Sequence, residues 1–161
     1  MAALLTTIEA QMKALVQAMR ITNGYNYDWG TANIEDAALA TVFPSPLIYL
    51  VDVDNLDDVD SGAHSQSYHQ MASFRIVVRG KVTTEPAIPK FAINPTHNDA
   101  LDDLLKLFGT DYSINSSCDV IFFRRMERDN QTSGDVFAAS DLITLWDVYY
   151  QQDRLNPLIM G

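Results

Sequence analysis

The chain has 161 residues, enough for one domain with a real hydrophobic core, and its 47% apolar and 20% charged fractions exclude a disordered chain. With 21 acidic against 11 basic residues and a net charge of −10, it is a poor general nucleic-acid binder, because phosphate is held mainly by Lys and Arg. The single cysteine, Cys118, excludes an internal disulfide and fits a reducing compartment, while no apolar run approaches the roughly 20 residues needed to span a bilayer.

The N-terminal segment reads as a helix. Leu5, Ile8, Met12, Leu15 and Met19 recur at intervals of three and four, giving one apolar stripe. Thr6 and Glu9 have capping-box spacing, which predicts a start near Thr6, and Asn23-Gly24 supplies a stop. Glu9 and Lys13 interrupt the apolar positions and no basic start precedes them, so the segment is a poor secretory signal and a cytosolic protein is expected. YNYDWG (25–30) carries aromatic rings at alternate positions and predicts a short strand. FPSP (43–46) imposes an extended entry to LIYLVDV (47–53), which reads as a well-buried strand.

SFRIVVRGKV (73–82) alternates: Phe74, Ile76, Val78 and Val82 face one way, Arg75, Arg79 and Lys81 the other. EPAIPKFAI (85–93) reads as a proline-bearing connector. In NPTHNDALDDLLKLFG (94–109), Asn94 is the expected N-cap, Pro95 the first helical residue and Gly109 the stop. Leu101, Leu104, Leu105 and Phe108 form the expected buried stripe, with Asp99, Asp102 and Asp103 near the N-terminal end, where the helix dipole favours negative charge. DVIFFRRM (119–126) and DLITLWDVYY (141–150) read as strands joined through ERDNQTSGD (127–135) in a hairpin. The expected fold is α+β: a single domain over residues 1–161, with a mostly antiparallel sheet of four to five strands and two main helices on one face. A mobile loop is expected at about 54–70 and a partly ordered tail at 152–161, ending in the apolar group Leu155, Leu158, Ile159 and Met160.

DVDNLDDVDSGAHSQSYHQ (52–70) places five aspartates within nine residues, ahead of His64 and His69. A calcium loop of the EF-hand type needs Gly at its sixth place and Glu at its twelfth. Counting from Asp52 these places hold Asp57 and Ala63, and counting from Asp54 they hold Val59 and Ser65, so neither frame fits. His64 and His69 are five apart and lack a four-ligand zinc framework. The stretch therefore reads as a polar loop, with Asp54, Asp57, Asp58 and Asp60 as candidate lumen or docking residues and no metal or cofactor assigned. No GxSxG, P-loop or GxGxxG is present, Asp102-Asp103 reads as a solvated helix face, and Cys118 reads as a small hydrophobe, so no catalytic residues are expected. Arg75, Arg79, Lys81, Arg124 and Arg125 supply five of the 11 basic residues from two strands. They fit either an exposed sheet face paired to acids across strands or a subunit interface meeting acidic loops of another copy.

In its order of elements the chain resembles the tail terminator proteins of long, non-contractile-tailed bacteriophages, and more loosely the related tail-completion proteins. The resemblance rests on the helix leading to YNYDWG, FPSPLIYLVDV, the polar loop before SFRIVVRGKV, NDALDDLLKLFG and the finish on ITLWDVYYQ. It implies a structural virion protein that forms a six-fold ring on the tail tube, ends tube growth and meets the head-completion proteins, with genomic DNA passing through the lumen unbound. The expected partners are other copies of itself, the tail tube protein and those head proteins. The expected location is the head-proximal end of the tail, after assembly in the host cytoplasm. With Leu158 and Ile159, the five basic residues are the candidate subunit or tube contacts. A head-side adaptor is the alternative, and a metal-dependent hydrolase using the 52–69 Asp/His cluster is a more distant one.

Overall fold

The structure is a computed structural model that describes residues 3–29, 44–56, 67–81, 90–133 and 136–153. Helix α1 spans Leu4–Gln17 and α2 spans Lys90–Thr110; the strands are β1 Ser45–Asn55, β2 Ser67–Lys81, β3 Val120–Ser133 and β4 Val136–Asp153. The four strands form one sheet in the order β1-β2-β4-β3 with every neighbouring pair antiparallel. The expected α+β class, with two main helices and an antiparallel sheet, is what the chain adopts.

One face of the sheet carries the core. On β2, Ala72, Phe74, Ile76 and Val78 are buried at alternate positions, and on β4 Leu142, Trp146 and Val148 face the same way. They join Leu4, Ile8, Met12 and Val16 of α1 and Ala100, Leu104, Leu107 and Phe108 of α2 in a single cluster. Phe108 meets Trp146 at 4.9 Å between ring centres, a tilted contact worth about 0.5–1.5 kcal/mol beyond the area buried. Thr144, buried in the same face, donates its hydroxyl to the Ile76 carbonyl (3.0 Å) and accepts from Trp146 Nε1 (2.8 Å). The indole N–H thus has its acceptor, as a buried donor requires.

Several local expectations are corrected. Helix α1 starts at Leu4 without side-chain capping, and Glu9 pairs instead with Lys13 at 2.7 Å. It stops at Gln17, where Arg20 turns back to donate to the Gln17 and Met19 carbonyls. Gly24, at φ +87°, closes the following short 3-10 turn Ile21–Asn23 rather than α1. The fully buried stripe includes Leu4 and Val16, while Leu5 and Leu15 pack at its margin.

Residues 25–29 of YNYDWG are not a strand. Their backbone is tied to α2: Asn26 N and Tyr27 N donate to the two oxygens of Asp103 at 2.7 and 3.1 Å, and Trp29 Nε1 donates to Asp103 at 2.8 Å. Asp103 is buried, not part of a solvated face. Helix α2 begins at Lys90, inside the expected connector, so Asn94 and Pro95 lie within it and the three aspartates sit mid-helix rather than in the first turn. Leu105 is exposed and Leu107 takes the buried place expected for it.

β1 is an edge strand: Ile48 is buried, but Val51 and Val53 are exposed. The strands are longer than the sequence pattern indicates. Asp54 and Asn55 pair with Met71 and Gln70, and Ser67–Gln70 pair with Tyr150–Asp153, which takes both ends out of the expected loop and two residues out of the expected tail. Most of ERDNQTSGD is strand as well, and Ser133 faces Val136 across the expected hairpin. Asp57, Asp58, Asp60, His64, Leu158 and Ile159 lie outside the described residues.

Candidate interaction surface

The sheet face opposite the helices is assembled row by row by the strand register. One row runs Tyr49, Arg75, Leu145, Arg125 across β1, β2, β4 and β3; the next runs Asp52, Ser73, Asp147, Phe122. The row on the far side of Arg75 runs Leu47, Val77, Ile143, Glu127, and beyond it Ser45, Arg79, Asp141, Asp129. β2 pairs with β4 without a break, so positions 75, 79 and 81 share this face as the alternation predicts.

Arg75 is half-buried. Its guanidinium stands 5.8 Å over the Tyr49 ring and donates to the Tyr49 hydroxyl at 3.1 Å, a stacked arrangement that holds the cation in place. Arg124 and Arg125 are adjacent, and in a regular strand would point to opposite faces. A bulge between Phe123 and Arg125 removes that alternation, and Arg124 lies 3.8 Å from Asp147. Asp147 also accepts from the Ser73 hydroxyl at 2.9 Å. Arg125 pairs with Glu127 at 3.1 Å; both are exposed, so the pair contributes little to stability.

The face is therefore of mixed sign. Arg75, Arg124 and Arg125 are interleaved with Asp52, Asp147 and Glu127, which favours cross-strand pairing with acids over a phosphate track. It is also aromatic. Phe122 is 56% exposed and meets Tyr149 edge-on at 5.8 Å, whereas Phe123 lies on the core side, against Trp146. Arginine, tyrosine and phenylalanine together are the side chains enriched in protein interfaces. The sequence reading singled out the arginines but not Tyr49, Phe122 or Tyr149. The FFRR signal at 122–125 was present; what it lacked was the bulge, which only strand pairing reveals.

Of the other sequence candidates, Asp54 lies in β1 opposite Met71 rather than in a loop, and His69 lies in β2 opposite Gln151. Among the described residues no group of three or more His, Cys, Asp and Glu side chains is placed to hold a metal ion. Cys118 is buried, and its thiol is pushed up to about 12, first by burial and then by the charges of Asp119 and Asp111. No helix of the described residues is long and apolar enough to cross a membrane. The sequence matches no protein-family model, and no curated protein is similar to it.

Proposed function

We propose that this chain is a structural virion protein that caps a phage tail tube as a ring, ends tube growth and forms the surface that the head joins. The observation that carries the reading is the sheet face opposite both described helices, where arginines and aromatic rings alternate with carboxylates. Such a face suits a protein partner. The element order shared with tail terminators, now seen as a sheet with both helices on one side, supports the same reading.

In this role the chain contacts its own copies, the tail tube protein and the head-completion proteins, and it resides at the head-proximal end of the tail. Its net charge of −10 suits a lumen through which DNA slides, because fixed negative charge repels phosphate. A head-side adaptor shares these features and is separated by phenotype. Electron microscopy of particles assembled without the protein is expected to show overlong tails. Tails of normal length beside unattached heads would assign it to the head side, and normal particles would reject both roles.

A further inference from the structure

The two edges of the sheet match each other in length, residue for residue. Between the row of Arg75 and the row of Met71, β2 uses five residues (71–75) and β4 five (145–149), whereas β1 uses six (49–54) and β3 six (120–125). The extra residues arise from bulges at Val51 and Arg124, on the two edge strands and within one row of each other. A bulged edge normally deters another strand, because a regular partner falls out of register at the bulge. Here both edges carry one extra residue over the same rows, so pairing one edge with the other keeps the register that a regular strand would lose.

The charges agree with this match. The exposed stretch of β1 carries Asp52 and Asp54 and no cation, while the facing stretch of β3 carries Arg124 and Arg125, with a single acid, Glu127, at its end. Self-pairing of β1 places acid on acid, and self-pairing of β3 places arginine on arginine. The strands alternate in direction across an even number, so β3 of one copy and β1 of the next continue the sheet antiparallel, head to tail.

We propose that copies of this chain join by strand addition, Leu47–Asp52 of one copy lying antiparallel to Phe122–Glu127 of the next, with Val51 opposite Phe123 and Asp52 opposite Phe122. Among the described residues, the open stretch of β3 ends near Ile121, whose N–H donates to the Tyr112 carbonyl, and that of β1 ends near Pro46, which has no N–H to offer. The contact is heterologous, so it generates a ring or a filament rather than a closed pair. It rests on the ring reading above and names the surfaces that make the ring.

The test is disulfide trapping in the full-length chain with the paired variants V51C/F123C and D52C/F122C, under mild oxidation at about 0.15 M salt, where the screening length is near 8 Å. Within one copy the two edges are three strand spacings apart, roughly 14 Å, too far for an internal bond. Both paired variants are expected to give a ladder of dimers, trimers and higher species on non-reducing gels, at least ten-fold above any single-cysteine variant. If one pair fails to fold by circular dichroism, the other decides. Folded variants without a ladder, or dimers formed equally by the single variants, would overturn the proposal. A ladder from a protein whose loss leaves tails unchanged would retain the edge contact and reject the tail role. The reverse pattern would retain the role and reject the edges.

Discussion

Asp103 sits at the middle of α2 and accepts three hydrogen bonds from the 26–29 turn, one of them from the buried Trp29 indole. A charged acceptor bonded to buried donors contributes about 1.5–3 kcal/mol per bond, and its removal strands those donors. Asp103→Ala is expected to cost about 3–5 kcal/mol in urea denaturation, with Asp103→Asn near half of that because an amide presents only one acceptor oxygen. Trp29 fluorescence should move toward that of exposed tryptophan in both variants. Cys118 offers a pH-dependent test. Its thiol ordinarily titrates near 9 and is held up to about 12 in the fold, so the folded state binds the proton more tightly. Its contribution to stability is thus full below about pH 9 and is lost as pH rises toward 12, with a slope of at most about 1.4 kcal/mol per pH unit. At pH 8 the native thiol is far less ionised than the unfolded one, so thiol-reactive dyes should label the native protein at least about a hundred-fold more slowly than the urea-unfolded chain. Its burial was legible in the sequence, which placed Cys118 beside an apolar strand. The role of Asp103 was not, since nothing in ALDDLLKLFG marks which aspartate meets a turn 76 residues away.

At the scale of elements, α2 shows where pattern reading fails. Its apolar residues Leu101, Leu104, Leu105, Leu107 and Phe108 fill more than one stripe, and only the packing partner selects among them. Leu105→Lys is expected to change stability by less than about 0.5 kcal/mol, whereas Leu104→Ala should cost about 2–5 kcal/mol in thermal denaturation. The turn after α2 is a second case. Ile114, Asn115 and Ser116 all adopt left-handed backbone conformations, at φ 51°, 55° and 60°. The turn is held by Asp111, which accepts from Asn115 N, and by Ser113, whose hydroxyl accepts from Ser116 N. Ser116 is exposed, so Ser116→Gly relieves its backbone strain without removing that bond and should raise stability by about 0.5–1 kcal/mol. The strands extend beyond their apolar cores for a related reason. Polar runs such as ERDNQTS continue as β-structure because the neighbouring strand supplies hydrogen bonds to their backbone, and that supply is invisible to periodicity.

For the whole molecule, charge and edges act in opposite directions. Six copies at −10 each carry a formal −60, and self-repulsion opposes closure of a ring even where the edges complement each other. In dilute low-salt solution the protein is expected to sediment as a monomer or weak oligomer, with association strengthening toward about 0.5 M salt as repulsion between like-charged copies is screened. A stable hexamer at micromolar protein and low salt would contradict that balance.

The sequence by itself determined the α+β class, the two helices, the alternation that puts Arg75, Arg79 and Lys81 at positions on one sheet face, and the hairpin before the final strand. These follow from periods of two and 3.6 residues and from turn chemistry, all of which are local. Tertiary structure alone decided that β4 lies between β2 and β3, that bulges interrupt both edges, that Asp103 is buried and that YNYDWG is a pinned turn. Each of these depends on a partner distant in sequence, whose contribution is set by packing and by the need to satisfy buried polar groups, and local pattern carries no record of it.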